Sequence, residues 1–264
     1  VIVTAALAWW DEPPETLDAC IRSVAAVADR VVAIDGAYSR YPDATVTSPA
    51  GQAEAIRAAA EAAGMECLVL QPDRLWRGQV EKRTALLSLA AAGSDWIAVV
   101  DADHLVHCDP GMTRLSLQQA DPGVDAFYVP LTTPVPQGVD IDRASATAWH
   151  KLVAGTRVDF MHLYRAHPGF RVERFHWWYS AVSRGERVWM WGGDGSYPPA
   201  HTGAFPDPLY RVEHASYSRD EVRILRGRAF VNDRDRVIAA TGQEDDQPGL
   251  FRPEYDYATL GADW

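Results

Sequence analysis

The 264-residue chain has no run of eighteen apolar residues, which excludes a transmembrane helix, and no segment patterned like a secretory signal. Cysteine is scarce. Cys20, Cys67 and Cys108 stand far apart without CxxC spacing, so reduced thiols in a cytoplasmic protein are expected rather than a zinc or disulfide framework. Basic residues are outnumbered, 25 against 36 acidic ones, for a net charge of -11. That argues against extensive nucleic-acid binding and leaves room only for a local basic patch. Internal repeats and low-complexity linkers are also missing. With 47% apolar and 23% charged residues, residues 1–264 read as one compact globular domain. Aromatics, by contrast, are plentiful: of ten tryptophans, Trp9 and Trp10 lie near the start, and Trp177, Trp178, Trp189 and Trp191 crowd the second half. Core packing is the first use of such rings, and a stacking wall for a sugar or a base is the second.

The first hundred residues alternate strand and helix patterns. "VIVTAALA" (1–8) is a short apolar run suited to a buried strand, and 15–28 carries Leu17, Ile21, Val24 and Ala28 at helical spacing. A strand over 31–34 ends at Asp35 and Gly36. An alanine-rich helix over 51–64 closes on Gly64 and is followed by a strand over 65–72. A helix over 80–95, stopped at Gly93, leads into a strand over 96–103. This order predicts an α/β fold, a mostly parallel central sheet with right-handed crossovers, whose ligands bind at the carboxyl ends of the strands. Beyond Pro110 the pattern is less regular. A strand is expected over 125–135, strand or short helix over 150–166, and a charged amphipathic helix over 217–240; the tail 244–264 reads as loop.

The stretch "DWIAVVDADHLVHCDP" (95–110) ends an apolar strand in two aspartates separated by one alanine. Alternate residues of an extended segment share a face, so Asp101 and Asp103 project to the same side. Two carboxylates aimed at one place repel each other unless a cation lies between them, and hard oxygen ligands suit Mg²⁺ or Mn²⁺. In a parallel sheet, three strand ends can line one crevice with them: Trp9 to Glu12, Asp35 to Ser39, and Asp101 to Asp103. His104, next in sequence, is expected to cap the turn.

Four segments in order, "VIVTAALAWWDEPPETLDACIRSV", "RVVAIDGAYSRYPD", "RGQVEKRTALLSLAAAGSDWIAVVDAD" and "RVEHASYSRDEVRILRGRAF", resemble the GT-A nucleotide-sugar-dependent glycosyltransferases, in particular the family 2-like group. The resemblance covers roughly the first 110 residues well and the remainder loosely. It implies a metal-dependent transfer of a sugar from a nucleotide diphosphate donor, most commonly a UDP-sugar, inverting rather than retaining, to an acceptor that the sequence does not name. It divides the chain into a nucleotide-sugar-binding half (1–110) and an acceptor-binding half (111–264). By position it implies that Ala5, Asp11, Asp35, Lys82, Arg83, Asp101 and Ala102 contact the donor. It further implies that Asp101, Asp103 and a distal histidine, His214, hold Mn²⁺ or Mg²⁺. His176 and His201 are rivals of His214. Where the family usually has Asp-Asp/Asn-Gly-Ser, this chain has Asp35-Gly36-Ala37-Tyr38-Ser39, and Lys82-Arg83-Thr84 replaces a basic pair followed by asparagine. Of these two cations, Arg suits bidentate contacts to a diphosphate and Lys a point charge.

For an inverting reaction the acceptor proton needs a carboxylate, and Glu173, Asp194 and Asp159 are the candidates. The resemblance puts Glu173 first, since the family's base commonly follows a Gly-Phe-like turn, here Gly169-Phe170, and Asp194 lies in "WMWGGDGSYPP" among glycines and tryptophans. A sugar nucleotidyltransferase is the alternative enzyme, but "TAALAWWDEPP" lacks its glycine-rich phosphate loop. A haloacid-type phosphatase is set aside because "DADHL" lacks the Thr or Val of the DxDx(T/V) motif. A non-catalytic carbohydrate- or partner-binding domain is the third class.

Overall fold

The computed structural model describes residues 1–145, 148–215, 217 and 221–242. The expected tail over 244–264 lies outside them. Strands β1 (Val3–Ala8), β2 (Arg30–Ile34), β3 (Glu66–Leu70) and β4 (Trp96–Asp101) alternate with helices α1 (Pro14–Val24), α2 (Gln52–Ala62) and α3 (Gln79–Ala91). Pro14 opens α1 where its missing N–H costs no hydrogen bond, and the helix buries Leu17, Cys20, Ile21 and Val24. Ala28 lies past the helix end yet remains in the core. Glu54 accepts the N–H of Gly51 at 2.8 Å and so secures the start of α2.

The strands read as continuous apolar runs because both faces of the sheet are covered. On β1, Val3, Ala5 and Leu7 enter the core cluster beneath α1 and α2, whereas Ala6 enters a second cluster with Leu86, Leu87 and Ala90 of α3. The strand register sets the shape of the sheet's rim. Ala8 lies opposite Ile34 on β2 and Asp101 on β4, so these three strands end level with one another.

After β4 the chain turns at Ala102–Asp103 into β5 (His104–Cys108), a strand absent from the sequence expectation. Then come α4 (Pro110–Gln119), β6 (Ala126–Thr132), α5 (Ile141–Ala144), α6 (Ala148–Val153), β7 (Arg157–Arg165) and β8 (Arg171–Val172). The last elements are β9 (Tyr179–Ser183), β10 (Glu186–Trp191), β11 (Thr202–Ala204), β12 (Tyr210–His214) and α7 (Glu221–Thr241). The main sheet has the order β3-β2-β1-β4-β7-β6-β12-β5, with β11 beside β6, and β10-β9-β8 form a smaller sheet. β3, β2, β1 and β4 are parallel, as expected. Past β4 the sheet is mixed: β7 runs against both β4 and β6, and β5 against β12. Among the described residues no helix is long and apolar enough to cross a membrane.

Candidate functional site

The level ends of β1, β2 and β4 open a crevice at the sheet's rim. Trp9, Trp10 and Glu12 line it from the loop after β1, and Gly36, Ala37, Tyr38 and Tyr41 from the loop after β2. Its floor is Lys82 and Arg83 of α3, and its far wall is Asp101, Ala102 and Asp103 with His214 and His150.

Asp103 and His214 meet because β5 pairs antiparallel with β12, setting His104 opposite His214. The His214 Nε2 lies 3.2 Å from Asp103 Oδ2, and both side chains are buried. Potential ligand atoms of Asp103, His104 and His214 all lie within 4.8 Å of one another. His104 is a poor ligand despite this closeness. Its Nδ1 accepts the Asp101 N–H at 3.2 Å, so the neutral ring carries its proton on Nε2 and has no lone pair left to give. It caps the turn, as expected. Asp103 and His214 bring one carboxylate and one imidazole to a single point, donors that suit Mn²⁺, which accepts both nitrogen and oxygen.

Asp101 is the second acid at the rim. Its Oδ1 accepts Arg83 Nη2 at 2.7 Å. Burial alone would push its carboxyl up, but the Arg83 charge outweighs that and holds the group well below the usual carboxylate range. Arg83 thus keeps Asp101 charged next to Asp103 before any cation arrives. Lys82 is far from a solvated helix face. It is 2% exposed and donates from Nζ to the carbonyls of Trp9 and Gly36, each at 2.7 Å, tying the β1 and β2 loops together. Burial pushes its ammonium down to about 7, against the opposing charge of Asp35. Two of its three donors are spent, so at most one remains for a ligand.

Several expected donor contacts lie elsewhere. Ala5 is fully buried in the middle of β1, within the core. Asp35 is also fully buried. Its carboxylate accepts the Gly36 N–H, the Ser48 N–H and hydroxyl, and Gln71 Nε2, while its carbonyl accepts Trp76 Nε1. It therefore braces the crevice loop from below. Asp11, at φ 49°, adjoins the crevice and pairs with Arg226 at 2.7 Å. Glu173 is engaged by Arg171, Arg187 and the Ser180 hydroxyl on the smaller sheet. Asp194 accepts the Ser196 N–H on an exposed turn, and Asp159 is exposed on β7. None of these three carboxylates lines the crevice. Nor do His176 or His201, whose N–H is used on Asp125. His150 and Tyr41 are crevice residues that the sequence pattern did not single out. His150 lies on a short helix without a motif, and its ring reaches 5.3 Å from that of His214 only through tertiary packing.

Behind the site, His162 is fully buried, and neither ring nitrogen finds a hydrogen-bond partner among the described residues. Burial, then the His104 charge, pushes its pKa down to about 3; burial likewise brings His104 down to about 4. The unfolded chain takes up these protons near pH 6.5 and the folded one does not. Their contribution is therefore complete above about pH 6.5 and is lost as pH falls toward 4. Urea unfolding of metal-free protein should give lower stability at pH 5 than at pH 7. His162→Phe should flatten that slope by up to about 1.4 kcal/mol per pH unit. Identical slopes in the two proteins would show that His162 does not resist protonation.

No protein-family model matches the chain, and no curated protein sequence does. Solved structures that match include a mannosyltransferase from Pyrobaculum calidifontis in complex with GDP-Man and Mn²⁺. It is 20% identical over 48% of this chain and 34% of that one, with a TM-score of 0.37. This chain thus spans about a third of that protein's length. So distant a likeness lends no weight to any residue's role, and the site stands on its own geometry.

Proposed function

We propose that the chain is a glycosyltransferase whose crevice takes a nucleotide diphosphate sugar, a UDP-sugar in the first instance, together with Mn²⁺ or Mg²⁺. One observation carries this function: Asp103 in the turn after β4 and His214 at the end of β12 converge to 3.2 Å, on the wall of a crevice that Asp101 also lines, floored by two cations and flanked by aromatic rings. Asp103 and His214, with Asp101 beside them, would hold the ion. Bound there, a divalent cation supplies charge to offset the diphosphate as it departs.

The remaining roles belong to the chain itself. Arg83 orients Asp101 and adds positive charge where the diphosphate lies. Lys82 fixes the two loops that frame the donor and leaves at most one N–H for it. Trp10, Tyr38 and Tyr41 offer ring faces to a nucleobase, a contact that every base can make. Because Asp35 is saturated by its own loop and by Gln71, base recognition falls to those rings and to backbone groups of Gly36 and Ala37.

The test is a thermal-shift panel of UDP-, GDP-, TDP- and CDP-sugars with Mn²⁺, with turnover measured for each donor that binds. A ligand at a hundredfold excess over its Kd adds about 2.7 kcal/mol, so a true donor should raise the melting temperature by several degrees, and EDTA should abolish that rise. A flat panel, or shifts indifferent to EDTA, would exclude a metal-dependent donor site.

A further inference from the structure

Helix α7 packs against residues that line the crevice. Arg223, Arg226 and Phe230 recur at helical spacing and share one face of the helix. Arg223 Nη1 reaches Glu12 at 2.8 Å. Arg226 Nη1 reaches Asp11 at 2.7 Å, and its Nε lies 3.5 Å from Asp43. The Phe230 ring stacks on Tyr38 and Tyr41, with centroids 5.3 and 5.2 Å apart and planes inclined by 25° and 28°. One turn further on, Asp233 meets Arg40 at 3.4 Å and the Arg234 guanidinium covers the Trp177 ring at 5.6 Å. Glu12, Tyr38 and Tyr41 are themselves crevice walls.

Among the described side chains of α7 only Ile224, Phe230 and Val237 are buried apolar groups. Beyond these, α7 is held by partly exposed ion pairs, each of small value and screened by salt, by guanidinium–ring contacts to Trp10 and Trp177, and by hydrogen bonds from Arg228 to the carbonyls of Asp142, Arg143 and Ser145. Elements with few buried apolar contacts open first. The crevice has a volume of about 230 Å³, less than the roughly 300–1,000 Å³ of pockets that bury a drug-sized ligand, and α7 contacts its walls at Glu12, Tyr38 and Tyr41.

We propose that α7 is an autoinhibitory cover that competes with the donor: Phe230 occupies ring faces of Tyr38 and Tyr41 that a nucleobase would use, and a nucleotide enters only when the helix lifts. The identity of the displacing ligand rests on the function proposed above; the lifting of the helix does not. Lifting also releases Glu12 from Arg223, so a carboxylate at the crevice edge changes partners as the site opens.

Two measurements on the full chain decide the matter. Amide hydrogen exchange without nucleotide should show the α7 amides exchanging together, well before those of β1 and β4; α7 exchanging only with that core overturns the cover. Calorimetry with UDP and with GDP, each with Mn²⁺, then compares wild type with Phe230→Ala. The apparent affinity of a covered site is reduced by its open fraction, so the variant should bind about tenfold tighter. Equal or weaker binding by the variant overturns the competition, weaker binding meaning that Phe230 holds the base itself. Arg226→Gln, which cuts the tie to Asp11 and Asp43, should tighten binding in the same direction and decides the case if Phe230→Ala loses β1 protection. If neither nucleotide binds any of the proteins, the donor function fails, and the exchange data alone decide whether α7 lifts.

Discussion

Asp103→Asn should reduce sugar transfer by about a thousandfold and abolish Mn²⁺ binding measured by electron paramagnetic resonance, while leaving the fold intact. The size of the effect reflects what the residue does rather than its burial. Removing one preorganised electrostatic partner from a reacting centre costs about 10²–10³ in rate, and loss of the ion itself adds to that. The substitution keeps the shape of a 3%-exposed side chain, so the space beside His214 stays filled. It also removes a like charge from the neighbourhood of Asp101, where Asp103 works against ionisation. The metal-free variant should therefore melt no lower than wild type. A residue required for packing would show the opposite pattern, with stability lost and residual activity proportional to folded protein. Retained turnover in the Asn variant would remove Asp103 from the site and the proposed function with it.

Gly36→Ala should be the most damaging single methyl group near the crevice. Gly36 sits at φ +100°, where an L side chain is strained in any surroundings. The added Cβ would also meet the Val46 carbonyl oxygen at 2.6 Å, Pro72 Cγ at 2.7 Å and Trp76 Nε1 at 3.0 Å. The first of these is backbone and cannot rotate away. Trp76 Nε1 is the donor to the Asp35 carbonyl at 2.7 Å, so relieving the clash breaks a buried hydrogen bond. Together these effects should cost about 3 kcal/mol or more, a drop of roughly 6–12 °C in melting temperature for a domain of this size. Because the Gly36 carbonyl also accepts Lys82 Nζ, nucleotide affinity should fall in parallel. A melting point within a degree of wild type would mean that the loop after β2 is far softer than its hydrogen bonds imply.

Much of the first 110 residues is legible in the sequence because its signals are local. Leu17, Ile21 and Val24 at helical spacing give α1, and the apolar runs at 1–8, 31–34 and 96–103 give three strands that are buried on both faces. The strand that precedes Asp101 and Asp103 fixes where they lie. The local signal fails at Asp35. A carboxylate at a strand end reads as free to bind a ligand, yet Ser48 and Gln71 come round to saturate it. It fails again at Glu173 and Asp194, which sit near glycines and aromatics in sequence but are turned to their own arginines, serines and turns.

The sequence by itself determined the alternation of elements, the α/β class, the acidic rim and the lack of any run of eighteen apolar residues, since each depends on composition or on spacing within one segment. The tertiary structure supplied the contact between Asp103 and His214, the histidine that the resemblance ranked above His176 and His201, because the β5–β12 register brings it there from a distant part of the chain. It alone buried Lys82 beneath two loops and laid Phe230 over Tyr38 and Tyr41. Those contacts join segments whose own sequences carry no record of each other. They arise only when the chain buries both faces of its sheet and hydrogen bonding fixes which strand lies beside which.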